Sequence, residues 1–149
     1  VLGADGANGH FLTQPAGGSR MPASFETVEK RLHYVHMDGR EVFKFAVRAM
    51  EKASLEALTK ADLELGDIDF LIPHQANERI IKSAAKRLKV PKDRVFINLD
   101  KYGNMSSASI PIALEEAYNN KLIKKGDIVL LVAFGAGLTW ASVLLKWSK

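Results

Sequence analysis

The sequence predicts an α/β fold: layered helices on a mixed, mostly parallel sheet of five strands. Three observations carry that expectation. Short apolar runs alternate with stretches of helical spacing, in the order strand, helix, strand, helix, strand, helix, strand, strand. Helical crossovers between strands imply parallel neighbours. Only Gly135-Ala136-Gly137 separates the last two runs, so these must fold back as an antiparallel pair.

The elements follow in chain order. Gly3, Gly6, Gly9, Pro15, Gly17, Gly18 and Pro22 make residues 1–30 a turn-rich connection, read as the lid or lining of a site. His33 to Met37 is a strand candidate, ended by Asp38-Gly39, which also offers a helix cap. Val42, Phe45 or Ala46, Ala49, Ala53 and Ala57 share one face of a helix from Arg40 to about Lys60. Leu65-Gly66-Asp67 turns into an apolar strand, Ile68 to Ile72, which Pro73 closes because it cannot donate to a ladder. Ile80, Ile81, Ala84 and Leu88 mark a helix from about Ala76 to Leu88. Glu78 lies in its first turn, where a negative charge suits the helix dipole. Val95 to Ile97 reads as a short strand, Asn98 to Ser106 as a loop, and Ser107 to Asn120 as a helix that tolerates Pro111 near its start. Ile128 to Phe134 and Leu138 to Trp147 are the final strands.

Composition removes several classes of function. The chain has 149 residues, 47% hydrophobic and 26% charged, with a net charge of +4, which suits one folded domain rather than a disordered chain. It contains no cysteine, so disulfides, thiolate metal sites and cysteine catalysis by its own residues are excluded. The most apolar stretch, Ile128 to Leu145, is interrupted by Gly135 and Gly137 and does not read as a membrane span. No signal-peptide pattern opens the chain. Val1 stands where a methionine would be expected, and Val1 to Asp5 reads as the tail of a strand; both lead to the expectation of a fragment or processed chain.

In open α/β sheets the functional crevice lies beyond the carboxyl ends of the strands. Three stretches fall there: Pro73-His74-Gln75-Ala76-Asn77, Tyr102-Gly103-Asn104-Met105-Ser106 and Phe134-Gly135-Ala136-Gly137. An imidazole at His74, a carboxamide at Asn104 and the backbone of Gly135, Ala136 and Gly137 would together stabilise negative charge on oxygen. Taken singly, each has a plainer reading: a histidine capping a strand end, and an asparagine in an ordinary turn. Gly135-Ala136-Gly137 is no dinucleotide fingerprint, because a strand and not a helix follows it. His10, His33 and His36 lack the spacing and the acidic partner of a metal site. Between Arg79 and Arg94, seven basic residues stand against one aspartate, and Arg79, Lys82, Lys86 and Lys89 share one side of a helix. A stripe of one sign points to an acidic partner. Nucleic acid fits less well, because no aromatic residue interleaves the stripe.

Taken in order, Ile72 to Asn77, Tyr102 to Ser109 and Ala133 to Trp140 resemble β-ketoacyl-acyl-carrier-protein synthase III, as does Met37-Asp38-Gly39-Arg40-Glu41-Val42-Phe43-Lys44-Phe45-Ala46. The resemblance runs from about Val1 to the end of the chain and implies the C-terminal half of a thiolase-type fold built from two similar halves. It implies a decarboxylative condensation of acyl-CoA with malonyl-carrier protein, the first of type II fatty acid synthesis, on a cysteine carried by the N-terminal half. His74 and Asn104 would be the catalytic donors, with Gly135, Ala136 and Gly137 as the oxyanion turn. Gly39, Phe43, Ala76 and Asn77 would line the pantetheine channel. Lys44, Arg79, Lys86 and Arg87, with Lys82 on the same stripe, would receive an acidic acyl carrier protein. Coenzyme A thioesters and phosphopantetheine enter as substrates, with no resident cofactor or metal. The remaining expectations are a cytoplasmic homodimer with no membrane or nucleic-acid partner, inactive without the N-terminal half. Met105, Ala136 and Ala141 depart from residues common in the family; Ala136 bears on the turn, since alanine resists positive φ. The alternatives are a related thiolase-type acyltransferase or synthase acting on a non-fatty-acid chain, and a non-enzymatic basic domain that binds an acidic carrier protein or nucleic acid.

Overall fold

Asp38 starts the longest helix. Its carboxylate accepts the backbone N–H groups of Arg40 and Glu41, both at 3.1 Å, and caps α2 (Gly39–Lys60). In the computed structural model, which describes residues 1–149, α2 follows three short strands and a one-turn helix: β1 (Leu2–Ala4), β2 (Leu12–Thr13), α1 (Phe25–Glu29) and β3 (His36–Met37). Then come β4 (Phe70–Pro73), α3 (Glu78–Arg87), α4 (Leu99–Tyr102), α5 (Ser109–Asn119), β5 (Ile128–Gly135) and β6 (Thr139–Lys146).

The main sheet has four strands in the order β1-β6-β5-β4. Strands β4 and β5 are parallel, while β5–β6 and β6–β1 are antiparallel. The sheet is therefore mixed, with antiparallel pairs in the majority, and the expectation of five mostly parallel strands is corrected. Two segments account for the difference. Val95 to Ile97 makes one parallel bridge to Leu71, with Phe96 N–H donating to the Leu71 carbonyl at 3.0 Å, but a 3-10 turn over Lys92–Arg94 leaves no length for a ladder. His36–Met37 never reaches the sheet; it pairs with Leu12–Thr13 in a separate two-stranded ribbon. The sheet gains β1 instead, with Leu2 opposite Ala141 and Ala4 opposite Thr139. Residues 1–30 are thus built from strands and helical turns as well as loop.

Strand alternation decides which helix covers which face. Leu71, Leu130, Val132 and Phe134 point to one side and pack with Val42, Ala46, Val47 and Met50 of α2 and Ile80 and Ala84 of α3. Phe70, Ile72 and Val129 point to the other side, toward Ala113 and Ala117 of α5. Ser142 Oγ donates to the Ala53 carbonyl at 2.7 Å, satisfying a buried hydroxyl between β6 and α2. No helix is long and apolar enough to cross a membrane. The layers bring the carboxyl ends of β4 and β5 together at one rim.

Candidate active site

Strand β4 delivers His74. Its ladder with β5 continues one residue past Pro73, where His74 N–H donates to the Val132 carbonyl at 2.8 Å. The half-buried ring meets Phe134 edge-on, centroids 5.8 Å apart, and Nδ1 lies 2.6 Å from the buried Ser109 Oγ at the start of α5. Ser109 Oγ also accepts a long 3.4 Å bond from Gln75 N–H. Nδ1 is thus occupied by Ser109, and Nε2, which has no protein partner, is left for the cleft. Burial lowers the His74 pKa from 6.5 and keeps the imidazole neutral.

That shift has a consequence for stability. The unfolded chain takes up the His74 proton more readily than the native one, so the contribution of this residue is intact above 6.5 and is lost as pH falls from there through the lower native value. Urea unfolding between about pH 7.5 and about pH 5 should show a shallower fall in stability for His74→Gln than for the unaltered protein. Identical slopes would contradict a buried neutral imidazole.

Asn104 is placed by the turn after α4. Gly103 adopts φ +69°, ψ −163°, a conformation open essentially to glycine alone. Asn104 Oδ1 accepts Ser106 N–H at 3.0 Å, which leaves the carboxamide Nδ2 as an uncommitted donor. The base of the loop is tied to α5 through Glu116, which accepts Asn98 Nδ2 at 2.7 Å, Tyr102 OH at 2.8 Å and the Lys101 ammonium. The Asn98 bond first, then those from Lys101 and Tyr102, hold the Glu116 pKa down to about 2.

His74, Asn104, Gly135 and Ala136 line one open cleft of ≈620 Å³, with Leu12 and Thr13 across from them. Gly137 falls outside it and faces a neighbouring cavity beside Gly9 and His10. Gly137 has φ +140°, and a Cβ there would lie 2.7 Å from Thr139 Cγ2, so the turn needs glycine at this position. Ala136 keeps out of the positive-φ region, and the alanine is accommodated without strain.

Two residues at this rim have roles that sequence reasoning missed. Ser109 is one. Gln75, fully buried, is the other: its Nε2 donates to the Pro73 and Phe96 carbonyls at 2.9 and 3.2 Å, and its Oε1 accepts Asn98 N–H at 3.0 Å. The signal available for Gln75 was an uncharged polar residue two positions after a wholly apolar strand.

Gly39, Phe43, Ala76 and Asn77 line a second cavity, of ≈560 Å³, together with Lys44 and Arg79. Asn77 caps α3, accepting Arg79 N–H at 2.9 Å, so its Oδ1 is committed. The Arg79 guanidinium stands 5.8 Å from the Phe43 ring centroid. The basic surface is only partly paired, and of the stripe itself Lys82 alone has a carboxylate partner. Lys44 pairs with Glu41 at 2.6 Å, Lys82 with Glu78 at 2.7 Å and Arg87 with Glu51 at 2.5 Å, while Arg79 and Lys86 have no carboxylate partner.

Residues 58–147 match the model of the family described as 3-oxoacyl-[acyl-carrier-protein (ACP)] synthase III C terminal. A curated relative from Caldanaerobacter subterraneus subsp. tengcongensis, β-ketoacyl-[acyl-carrier-protein] synthase III, is 66% identical over 148 residues, 99% of this chain and 45% of the relative. The crystal structure of β-ketoacyl-[acyl carrier protein] synthase III from Thermus thermophilus is 51% identical with a TM-score of 0.87, over 99% of this chain and 45% of that one. The priming β-ketosynthase of the R1128 polyketide biosynthetic pathway is 34% identical with a TM-score of 0.80, over 100% of this chain and 45% of that one. The chain thus spans about half the length of the relatives it matches. Both the family model and the thiolase-like α/β layering identify the chain as a member of the 3-oxoacyl-[acyl-carrier-protein] synthase III C-terminal family.

Proposed function

We infer that this chain supplies the decarboxylation half of a β-ketoacyl-acyl-carrier-protein synthase III. The observation that carries the reading is the pair of uncommitted nitrogens, His74 Nε2 and Asn104 Nδ2, on one cleft. An acyl group is first transferred from acyl-CoA to a cysteine of the N-terminal half. The malonyl thioester of the carrier protein then loses its carboxylate: the bond to CO2 breaks, and its electrons move to the thioester oxygen as an enolate. His74 and Asn104 donate to that oxygen, where the transition-state charge builds. The enolate carbon attacks the acyl-cysteine carbonyl, the thiolate leaves, and a β-ketoacyl-carrier protein results. Backbone around Gly135 and Ala136 lies beside the acyl oxyanion. Gly39, Phe43, Ala76 and Asn77 form the pantetheine passage, and Arg79 and Lys86 offer unpaired charge to an acidic carrier, with Lys44, Lys82 and Arg87 around them. Leu2, Phe25, Val28 and Val143 are exposed apolar residues that a second half would cover. Residues 1–149 act as one domain, paired in a cytoplasmic homodimer and needing no resident cofactor.

The test is to produce this chain with its N-terminal half and supply acyl-CoA and malonyl-carrier protein. β-Ketoacyl-carrier protein should form with both halves present and with neither half alone. Arg79→Glu combined with Lys86→Glu should raise KM for the carrier about tenfold, more at low salt, with less change toward a malonyl thioester lacking the carrier. Salt-sensitive binding of duplex nucleic acid with no carrier binding would instead favour a non-enzymatic basic domain. Ser109→Ala should cut decarboxylation roughly tenfold and alter its pH profile, because the imidazole tautomer is no longer imposed. A polyketide-type substrate is the second reading, supported by the likeness to the R1128 enzyme at 34% identity; the 66% identity to a relative named β-ketoacyl-[acyl-carrier-protein] synthase III favours the first.

A further inference from the structure

A third cavity, of ≈390 Å³, opens between the 3-10 turn over Gly6–Phe11, helix α2 and strand β6, away from the cleft of His74 and Asn104. Its apolar wall is three half-buried aromatic rings, Phe11, Phe45 and Trp140. Phe45 meets Trp140 edge-on at 5.7 Å between centroids. Trp140 lies flat on Gly3 of the paired strand β1, where a Cβ would come within 2.3 Å of the indole. The indole is therefore seated against backbone and packs on the core, with part of its surface in the cavity lining.

The lining also carries cations, on the same helix as Phe45. Arg48 and Lys52, one turn apart on α2, line the cavity and have no carboxylate partner. The acids nearby are committed elsewhere: Glu41 to Lys44 at 2.6 Å, and Glu56, one turn beyond Lys52, to Lys60 at 2.9 Å. Asn8, also in the lining, donates Nδ2 to Asp5 Oδ2 at 2.8 Å, which leaves its Oδ1 without a protein donor. Aromatic edges, an amide acceptor and two free cations within one cavity match a flat amino-bearing heterocycle joined to phosphate.

We propose that this cavity binds a purine nucleotide, with the base among Phe11, Phe45 and Trp140, its amino group on Asn8 Oδ1, and its phosphates on Arg48 and Lys52. Because Lys44 borders both this cavity and the one beside Arg79, the bound phosphates would draw on charge that the carrier-docking surface also uses. The nucleotide would then weaken carrier docking while leaving the cleft of His74 and Asn104 open.

Photolabelling of the full-length protein with 8-azido-ADP, followed by peptide mapping, tests this. Label is expected on the segment from Phe45 to Lys52 or on the peptide containing Trp140. ADP should compete at least about tenfold better than adenosine or pyrophosphate, since each of those uses only part of the lining. Arg48→Glu with Lys52→Glu, both exposed positions, should abolish label there without unfolding the protein. The proposal is overturned by label confined to other peptides, by label that survives both substitutions, or by pyrophosphate competing as well as ADP, which would mark a plain anion patch. Labelling needs no turnover, so its outcome is independent of the condensation chemistry.

Discussion

Replacing His74 by alanine in the two-half enzyme should lower malonyl decarboxylation by about 10²- to 10³-fold, and Asn104→Ala should do the same. The size follows from what each side chain has left to give. His74 Nδ1 is satisfied by Ser109, and Asn104 Oδ1 by Ser106 N–H, so each residue presents one unspent nitrogen to the cleft. Removing either leaves the enolate oxygen one hydrogen bond short in a partly desolvated site, worth about 3 to 4 kcal/mol of transition-state energy. Loading of the acyl group should survive both changes, because neither side chain is the nucleophile and the chain has no cysteine to be one. The measurement is single-turnover: radiolabelled acyl transfer onto the enzyme, and separately CO2 release from malonyl-carrier protein. Intact decarboxylation in both variants would remove the proposed roles. The double variant should lose less than the product of the two single losses if, as proposed, both residues donate to one oxygen.

Much of this site was legible in the sequence because its residues lie at the ends of strongly patterned elements. The apolar run ending at Pro73 and the helical spacing after Asn77 leave little choice about where His74 sits. Gly103 before Asn104, and Gly137 after Ala136, mark backbone turns by residue type alone. What was not legible depends on partners distant in sequence. The edge pairing of β1 with β6 spans nearly the whole chain, and nothing local in Leu2–Ala4 indicates it. Val95 to Ile97 has strand composition, yet one bridge is all its length allows. The stripe on α3 was read as a charge of one sign because Glu51 lies on another helix and Glu78 was counted only as a helix-dipole residue. Gln75 and Ser109 stood within the quoted motifs, but their roles exist only once α5 packs against the end of β4.

Gln75→Leu should destabilise the protein by about 2 to 5 kcal/mol, a loss that comes from hydrogen bonds rather than volume. Leucine nearly fills the space, so little cavity opens. The polar groups it abandons are the difficulty: the Asn98 N–H and the Pro73 and Phe96 carbonyls all lie in a region that Gln75 shares with no bulk water. Each such group left unpaired costs about 1 to 3 kcal/mol. Gln75→Glu should fare no better, because a carboxylate can accept from Asn98 N–H but cannot donate to the two carbonyls. Urea unfolding of the two-half protein, with Gln75→Leu and Gln75→Glu beside Asn119→Leu as an exposed polar control, measures the effect. A loss for Gln75→Leu no larger than for the control would mean that the network contributes nothing net. A loss of the expected size should also appear at the site, since two of these bonds, to the Phe96 carbonyl and from Asn98 N–H, join the end of β4 to the start of the loop that carries Asn104. The spacing between the His74 and Asn104 donors is then a property of Gln75, and the variant should lose decarboxylation even under conditions in which it remains fully folded.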